Sequence, residues 1–153
     1  MPNVSMHHTG ITVSDIHASI AFYEALGFTR SFPEPAPVDE AWLGTVVGVE
    51  NARLLLMFVS LGDHRIELLQ YVDPEGEGAR PLASNDVGSF HIALSVDDVS
   101  TEYERLRALG VEFLSKPVVV TGGPFEGLKA VYGKDPDGNT IELISGVEGR
   151  FPT

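Results

Sequence analysis

Two stretches of this chain, His8 to Asp15 and His91 to Asp98, follow one plan, and an internal duplication constrains the fold more than any other feature of the sequence. The shift that lays His8 on His91 also lays Val13 on Val96, Asp15 on Asp98, Ala25 on Ala108, Leu26 on Leu109 and Gly27 on Gly110. Six identities fall in twenty positions, where average residue usage gives roughly one. Ile11 with Leu94 and Ile16 with Val99 are conservative pairs in the same frame. The chain reads as two copies of one unit, each opening on a histidine.

From Met6 to Val13 the residues alternate, with Thr9, Ile11 and Val13 on one face of a strand and His8, Gly10 and Thr12 on the other. Ser14 or Asp15 then caps a helix carrying Ile16, Ile20, Tyr23 and Leu26 at helical spacing, and Gly27 stands where a left-handed residue closes it. That helix covers the Ile11 and Val13 face and leaves His8 on the opposite one. The proline-rich segment Phe32 to Val38 is a loop. It leads to expected strands near Ala41 to Val49 and Arg53 to Ser60, turned at Glu50-Asn51-Ala52, and then to a strand from His64 to Val72. In the last of these Ile66 and Leu68 oppose Glu67, Leu69 and Tyr71.

Asp73 to Gly88, rich in glycine, proline and acidic residues, is the expected linker. The second copy opens with a strand from Ser89 to Val96, with Ile92, Leu94 and Val96 on one face and His91, Ala93 and Ser95 on the other. Asp97 or Asp98 caps a helix bearing Val99, Tyr103, Leu106 and Leu109, closed by Gly110. Strands are expected near Val111 to Leu114 and Lys129 to Gly133, with a glycine-rich loop between them. After the turn Asp135-Pro136-Asp137-Gly138 comes a last strand, Asn139 to Ser145, in which Ile141 and Leu143 oppose Glu142. These boundaries give a single domain over residues 1–153, with module 1 about 5–72, a linker 73–88 and module 2 about 89–146.

Each copy thus begins with a histidine and ends with a glutamate, and all four lie on the strand face that the helix does not cover. If the copies pair about a pseudo-two-fold axis, His8, Glu67, His91 and Glu142 can converge. Two imidazoles and two carboxylates suit one divalent metal ion such as Zn, Fe, Co, Ni or Mn, with positions left for water or substrate oxygens. His7, His17 and His64 lack a counterpart in the duplicated frame and are assigned to the surface. Glu50, in a turn, is an auxiliary candidate base of lower rank. Trp42, Tyr71, Phe90, Phe125 and Tyr132 are candidate pocket walls, each equally explicable as core.

Composition excludes several classes. With 22 acidic and 10 basic residues the formal charge is -12, which opposes attraction to nucleic acid or anionic membrane. Neither is an expected partner. The same field disfavours a polyanionic substrate unless Arg53, Arg65, Arg80 or Lys129 gathers at the site. No cysteine is present, so disulfides, thiolate ligands and cysteine nucleophiles are excluded. No run approaches the ~18 apolar residues of a membrane helix, and the start lacks the pattern of a signal peptide, so the expected location is cytoplasmic.

The motifs His8-Thr-Gly-Ile-Thr-Val-Ser-Asp15, Ser19-Ile-Ala-Phe-Tyr23, Leu26-Gly-Phe28, Arg65-Ile-Glu-Leu-Leu69, Phe90-His-Ile-Ala93, Val96-Asp-Asp98 and Asp135-Pro-Asp-Gly-Asn-Thr-Ile-Glu-Leu143 together resemble the vicinal oxygen chelate superfamily. That group includes glyoxalase I, methylmalonyl-CoA epimerase, extradiol dioxygenases and bleomycin-resistance proteins. The resemblance runs from about His8 to Ser145. It implies an α+β fold of two tandem βαβββ modules forming a curved eight-stranded mixed sheet with a concave metal-binding cleft, and it carries metal-ligand roles onto His8, Glu67, His91 and Glu142. A homodimer acting on a small-molecule substrate is also implied.

From this follows the expectation of a divalent-metal-dependent isomerase or lyase. Glu67 or Glu142 would abstract a proton from a small oxygen-chelating substrate, through a metal-stabilised enolate or enediolate. The alternatives are an Fe(II) extradiol-type dioxygenase, which His8, His91 and Glu142 would also satisfy, and a non-catalytic small-molecule binding or resistance protein.

Overall fold

A computed structural model describes residues 3–147. The chain divides into two compact units, Met1–Ala79 and Arg80–Thr153. In the first unit the order is β1 (Thr9–Thr12), α1 (Ile16–Ala25), β2 (Thr29–Arg30), β3 (Ala36–Val38), α2 (Trp42–Val47), β4 (Arg53–Leu61) and β5 (His64–Asp73). In the second it is β6 (His91–Ser95), α3 (Val99–Ala108), β7 (Val118–Val119), β8 (Lys129–Lys134) and β9 (Thr140–Ser145). The sheets run β1-β5-β4-β2, with β3 also on β4, and β6-β9-β8-β7. Each is mixed, since β1 lies parallel to β5 and β6 parallel to β9 while the remaining pairs are antiparallel. The α+β class and the repeated topology are as expected, the strands being distributed over a five-stranded and a four-stranded sheet.

The helix starts explain why the duplicated stretch is so constrained. Asp15 is the N-cap of α1 and its carboxylate accepts from the N–H groups of His17 and Ala18; Asp98 caps α3 by accepting from Thr101 N–H. Such caps satisfy donors that the first turn otherwise leaves unpaired. Gly27 and Gly110 follow the two helices at φ 94° and 91°, a conformation that costs an L-residue with a side chain and costs glycine nothing. Between strand and cap, Val13 N–H donates to Leu69 O at 2.8 Å and Val96 N–H to Ile144 O at 2.9 Å. Each histidine strand is thereby locked to its glutamate strand.

The Thr101 hydroxyl, then the Thr101 N–H, with further help from Ser100 N–H and Lys129, hold the Asp98 carboxyl down to about 2 from its ordinary value of 3.8. Because the folded value is depressed, the cap's stabilisation is present above the ordinary carboxylate range and is lost as pH falls through about 2. A carboxyl-detected NMR titration is expected to place Asp98 near 2, and Thr101→Val is expected to move it back toward 3.8.

Ile11, Ile16, Ile20, Tyr23, Met57, Val59, Ile66 and Leu68 make the buried layer between the first sheet and α1. In the second unit Val99, Leu106, Leu128, Val131, Ile141 and Leu143 are buried. Leu109, placed on the helical stripe by spacing, is instead 62% exposed.

Two expected strands are corrected. Ala41 to Val49 is not a strand: Trp42–Val47 is α2, closed by Gly48 in the left-handed region. Leu43 packs with Ala52 and Leu54, and Val47 lies in the same cluster one helical turn on, so tertiary burial of this pair overrides the β-branched composition. A Cβ on Gly44 would come within 2.8 Å of Val49 O, so the tight exit of α2 requires glycine there. In the second unit Val111 to Leu114 is no regular strand. Only Phe113 bridges Gly133, and the paired segment resumes at Val118–Val119. Pro117 lacks the N–H that a continuous ladder needs. The first unit's outer edge is broken likewise, between β2 and β3.

Candidate metal centre

In each unit the parallel strand pair sets one histidine against one glutamate. Gly10 is the register partner of Glu67, and Ala93 that of Glu142. His8 and His91 each stand two residues earlier, on the same strand face. His8 Nε2 lies 3.2 Å from Glu67 Oε2, and His91 Nε2 lies 3.2 Å from Glu142 Oε2. The glutamates are the shielded partners, at 17% and 15% side-chain exposure, against 32% and 44% for the histidines. A small residue beneath each carboxylate leaves it room: a Cβ on Gly10 would already touch Glu67 Oε2 at 3.7 Å.

This spacing fits a shared cation. With ligand bonds of ~2.0–2.2 Å, adjacent donors on a tetrahedral or octahedral ion stand roughly 3.0–3.6 Å apart, and both pairs already have that separation through the nitrogen and oxygen that would ligate. A lone His–Glu pair supplies two donors, fewer than any structural or catalytic metal site requires. Each pair thus offers one nitrogen and one oxygen donor, and among the described residues no group of three or more His, Cys, Asp or Glu side chains is gathered where it could hold a metal ion.

Around each pair the duplication extends to residues that strand patterning alone did not single out. Phe58 is the antiparallel partner of Glu67, and Tyr132 that of Glu142. The Phe58 ring meets His8 edge-on at 5.6 Å, and the Tyr132 ring meets His91 at 5.2 Å. Both aromatics fix an imidazole by packing. The shift that lays Glu67 on Glu142 lays Phe58 on Gly133 rather than on Tyr132, so the sequence alone does not pair the two aromatics. Burial, and then the Glu142 charge, raise the Tyr132 phenol above its ordinary value, so it stays a neutral O–H donor beside the site.

His7, assigned to the surface, is exposed but not idle. Its Nδ1 lies 2.7 Å from His8 Nδ1, with the rings edge-on at 4.9 Å. A hydrogen on His8 Nδ1 shared with His7 leaves Nε2 as the lone-pair nitrogen, the tautomer a metal ligand needs. His17, His64 and Glu50 are exposed. Among the aromatic wall candidates, Trp42, Phe90 and Phe125 are also exposed, while Tyr71 packs with Leu56 and Leu69 against the α2 cluster. Leu69 and Tyr71 share the Glu67 face, so one side of the first half-site is apolar.

The repeated strand-helix plan with a His–Glu pair in each copy defines a class of protein. The model of the Glyoxalase/Bleomycin resistance protein/Dioxygenase superfamily matches residues 5–143, and the chain belongs to that superfamily. It is 32% identical over 146 residues to a 2-epi-5-epi-valiolone epimerase of Actinomyces sp, covering 93% of this chain and 79% of that one. It is 26% identical to the human mitochondrial methylmalonyl-CoA epimerase over 139 residues, covering 90% and 72% of the two chains. The crystal structure of a glyoxalase family protein from Bacillus cereus superposes with a TM-score of 0.82 at 23% identity, over 95% of both chains.

Proposed function

We propose that the protein is a divalent-metal-dependent isomerase of the epimerase type, acting on a small molecule that carries adjacent oxygens or a carbonyl beside an acidic C–H. The observation that carries this reading is the pair of His–Glu contacts at 3.2 Å, in matched register in the two units. His8, Glu67, His91 and Glu142 are the proposed ligands of one ion of the Zn, Ni, Co, Mn or Fe group. Similarity to an enzyme named as an epimerase across most of both chains favours isomerisation over ring cleavage. The two glutamates also exceed the single carboxylate of a two-His iron site.

When bound, the ion supplies positive charge to the substrate oxygens and so lowers the cost of removing the neighbouring proton. The chain's own residues do the rest. A glutamate oxygen, Oε2 of Glu67 or of Glu142, takes the proton from the carbon next to the carbonyl; the C–H pair moves into the C–C bond and the carbonyl pair onto oxygen. Return of a proton to the opposite face of that carbon gives the epimer. In this reading the neutral Tyr132 hydroxyl, beside Glu142, donates to a substrate oxygen, and Leu69 and Tyr71, on the Glu67 face, offer apolar surface to the carbon skeleton. A homodimer is the proposed assembly.

The test is solvent exchange. Protein reconstituted with manganese, incubated in D2O with 2-epi-5-epi-valiolone or methylmalonyl-CoA, is expected to place deuterium at the carbon beside the carbonyl of one of them, read by proton NMR. Oxygen consumption with a catechol, and no exchange, would instead establish the dioxygenase reading.

A further inference from the structure

Arg65 shares a strand face with Glu67, Leu69 and Tyr71, two residues before the proposed ligand. Its guanidinium carbon lies 5.6 Å from the centroid of the Phe58 ring, the same ring that packs against His8. The other described arginines of the first unit are neutralised: Arg30 pairs with Glu24 at 2.6 Å and Arg53 with Asp73 at 2.9 Å. Lys129 turns to Asp98 and Ser100 at the start of α3. Lys134, the cation on the His91 face of the second unit, donates to Thr140 Oγ1 at 2.9 Å. Among the described residues Arg65 has neither a carboxylate in ion-pair range nor a hydrogen-bond acceptor, and its only partner is the face of Phe58.

In a chain of formal charge -12, an arginine left without a carboxylate is available for another anion. A cation–π contact with the Phe58 ring restrains the guanidinium without using its N–H donors, which can grip a carboxylate or phosphate through two oxygens. The site thereby overcomes, at one point, the repulsion that the whole chain exerts on an anionic substrate.

We infer that Arg65, lying over the Phe58 ring, is a specificity-determining residue that binds an anionic tail, carboxylate or phosphate, on the substrate whose oxygens face His8 and Glu67. This rests on the site proposed above. It explains how an acidic protein can select an anionic substrate.

The test uses matched probes on manganese-treated protein by calorimetry at fixed ionic strength. Dihydroxyacetone phosphate is set against dihydroxyacetone, and 2-oxoglutarate against 2-oxobutyrate; within each pair the chelating head is shared and only one member has the anionic tail. The wild type is expected to prefer a tailed probe by about tenfold or more, and the pair that shows it separates phosphate from carboxylate. Arg65→Met is expected to abolish the preference and leave the untailed probe unaffected. Arg65→Lys is expected to keep part of it, since the charge remains and the two-pronged guanidinium is lost. Equal affinities within both pairs, or a preference that survives Arg65→Met, would overturn the inference. Manganese uptake is measured in the same samples: uptake without tail preference defeats Arg65 and leaves the metal site standing. A preference removed by Arg65→Met in protein that takes up no manganese supports Arg65 and defeats the metal site.

Discussion

Glu67→Gln and Glu142→Gln are expected to lower the rate of solvent-deuterium incorporation by at least 10²-fold each, with the double variant without measurable exchange. Glutamine keeps the shape and one oxygen but loses the charge, and with it both the base and a strong ligand. General-base catalysis by a positioned carboxylate contributes typically ~10²–10⁴-fold. If one ion and one proton path depend on both groups, as proposed, the two losses should be non-additive. The structure makes this substitution a clean probe: each glutamate is fixed in a central strand and paired on both sides, Glu67 between Gly10 and Phe58 and Glu142 between Ala93 and Tyr132. An isosteric side chain there leaves the ladder intact. Exchange in the double variant at the wild-type rate would remove both glutamates from the mechanism.

Leu68→Ala is expected to destabilise the first unit by about 2–5 kcal/mol, the range for a buried leucine whose cavity only partly collapses. Leu68 has no exposed surface and stands in the ladder between Ile11 and Met57, on the face covered by α1. Its neighbours Glu67 and Leu69 point the other way, so the variant removes packing behind the site without touching the donors. Urea unfolding followed by Trp42, the chain's single tryptophan, reads this directly, since that residue belongs to α2 of the same unit. Against a typical domain stability of ~5–15 kcal/mol the loss is a large fraction. A change under about 1 kcal/mol would contradict the burial described for β5.

How the sequence discloses this structure follows from which interactions set each part. The His–Glu register was legible because duplication supplies two independent readings of one strand face; neither His8 nor Glu67 alone would separate from a surface residue. The caps at Asp15 and Asp98, and the closing Gly27 and Gly110, were legible because local chemistry decides them. Trp42–Val47 was not, because its β-branched residues favour a strand and only Leu43 and Val47 packing on Leu54 and Leu56 makes it a helix. The broken outer edges escaped for a related reason. Segments as short as Thr29–Arg30 and Val118–Val119 carry no periodicity, and β4 and β8 fix them. Phe58, His7 and Arg65 became visible only with cross-strand neighbours in place, since each acts through a ring or imidazole that sequence spacing does not reveal.

The most direct test of the proposed four-residue metal centre is a calorimetric titration of Mn(II) into chelator-treated protein, run on the wild type, His8→Ala and His91→Ala. One ion per chain in the wild type, with affinity reduced by at least tenfold in both histidine variants, is the result expected if His8, Glu67, His91 and Glu142 hold one ion. Manganese binding that neither substitution weakens would contradict it.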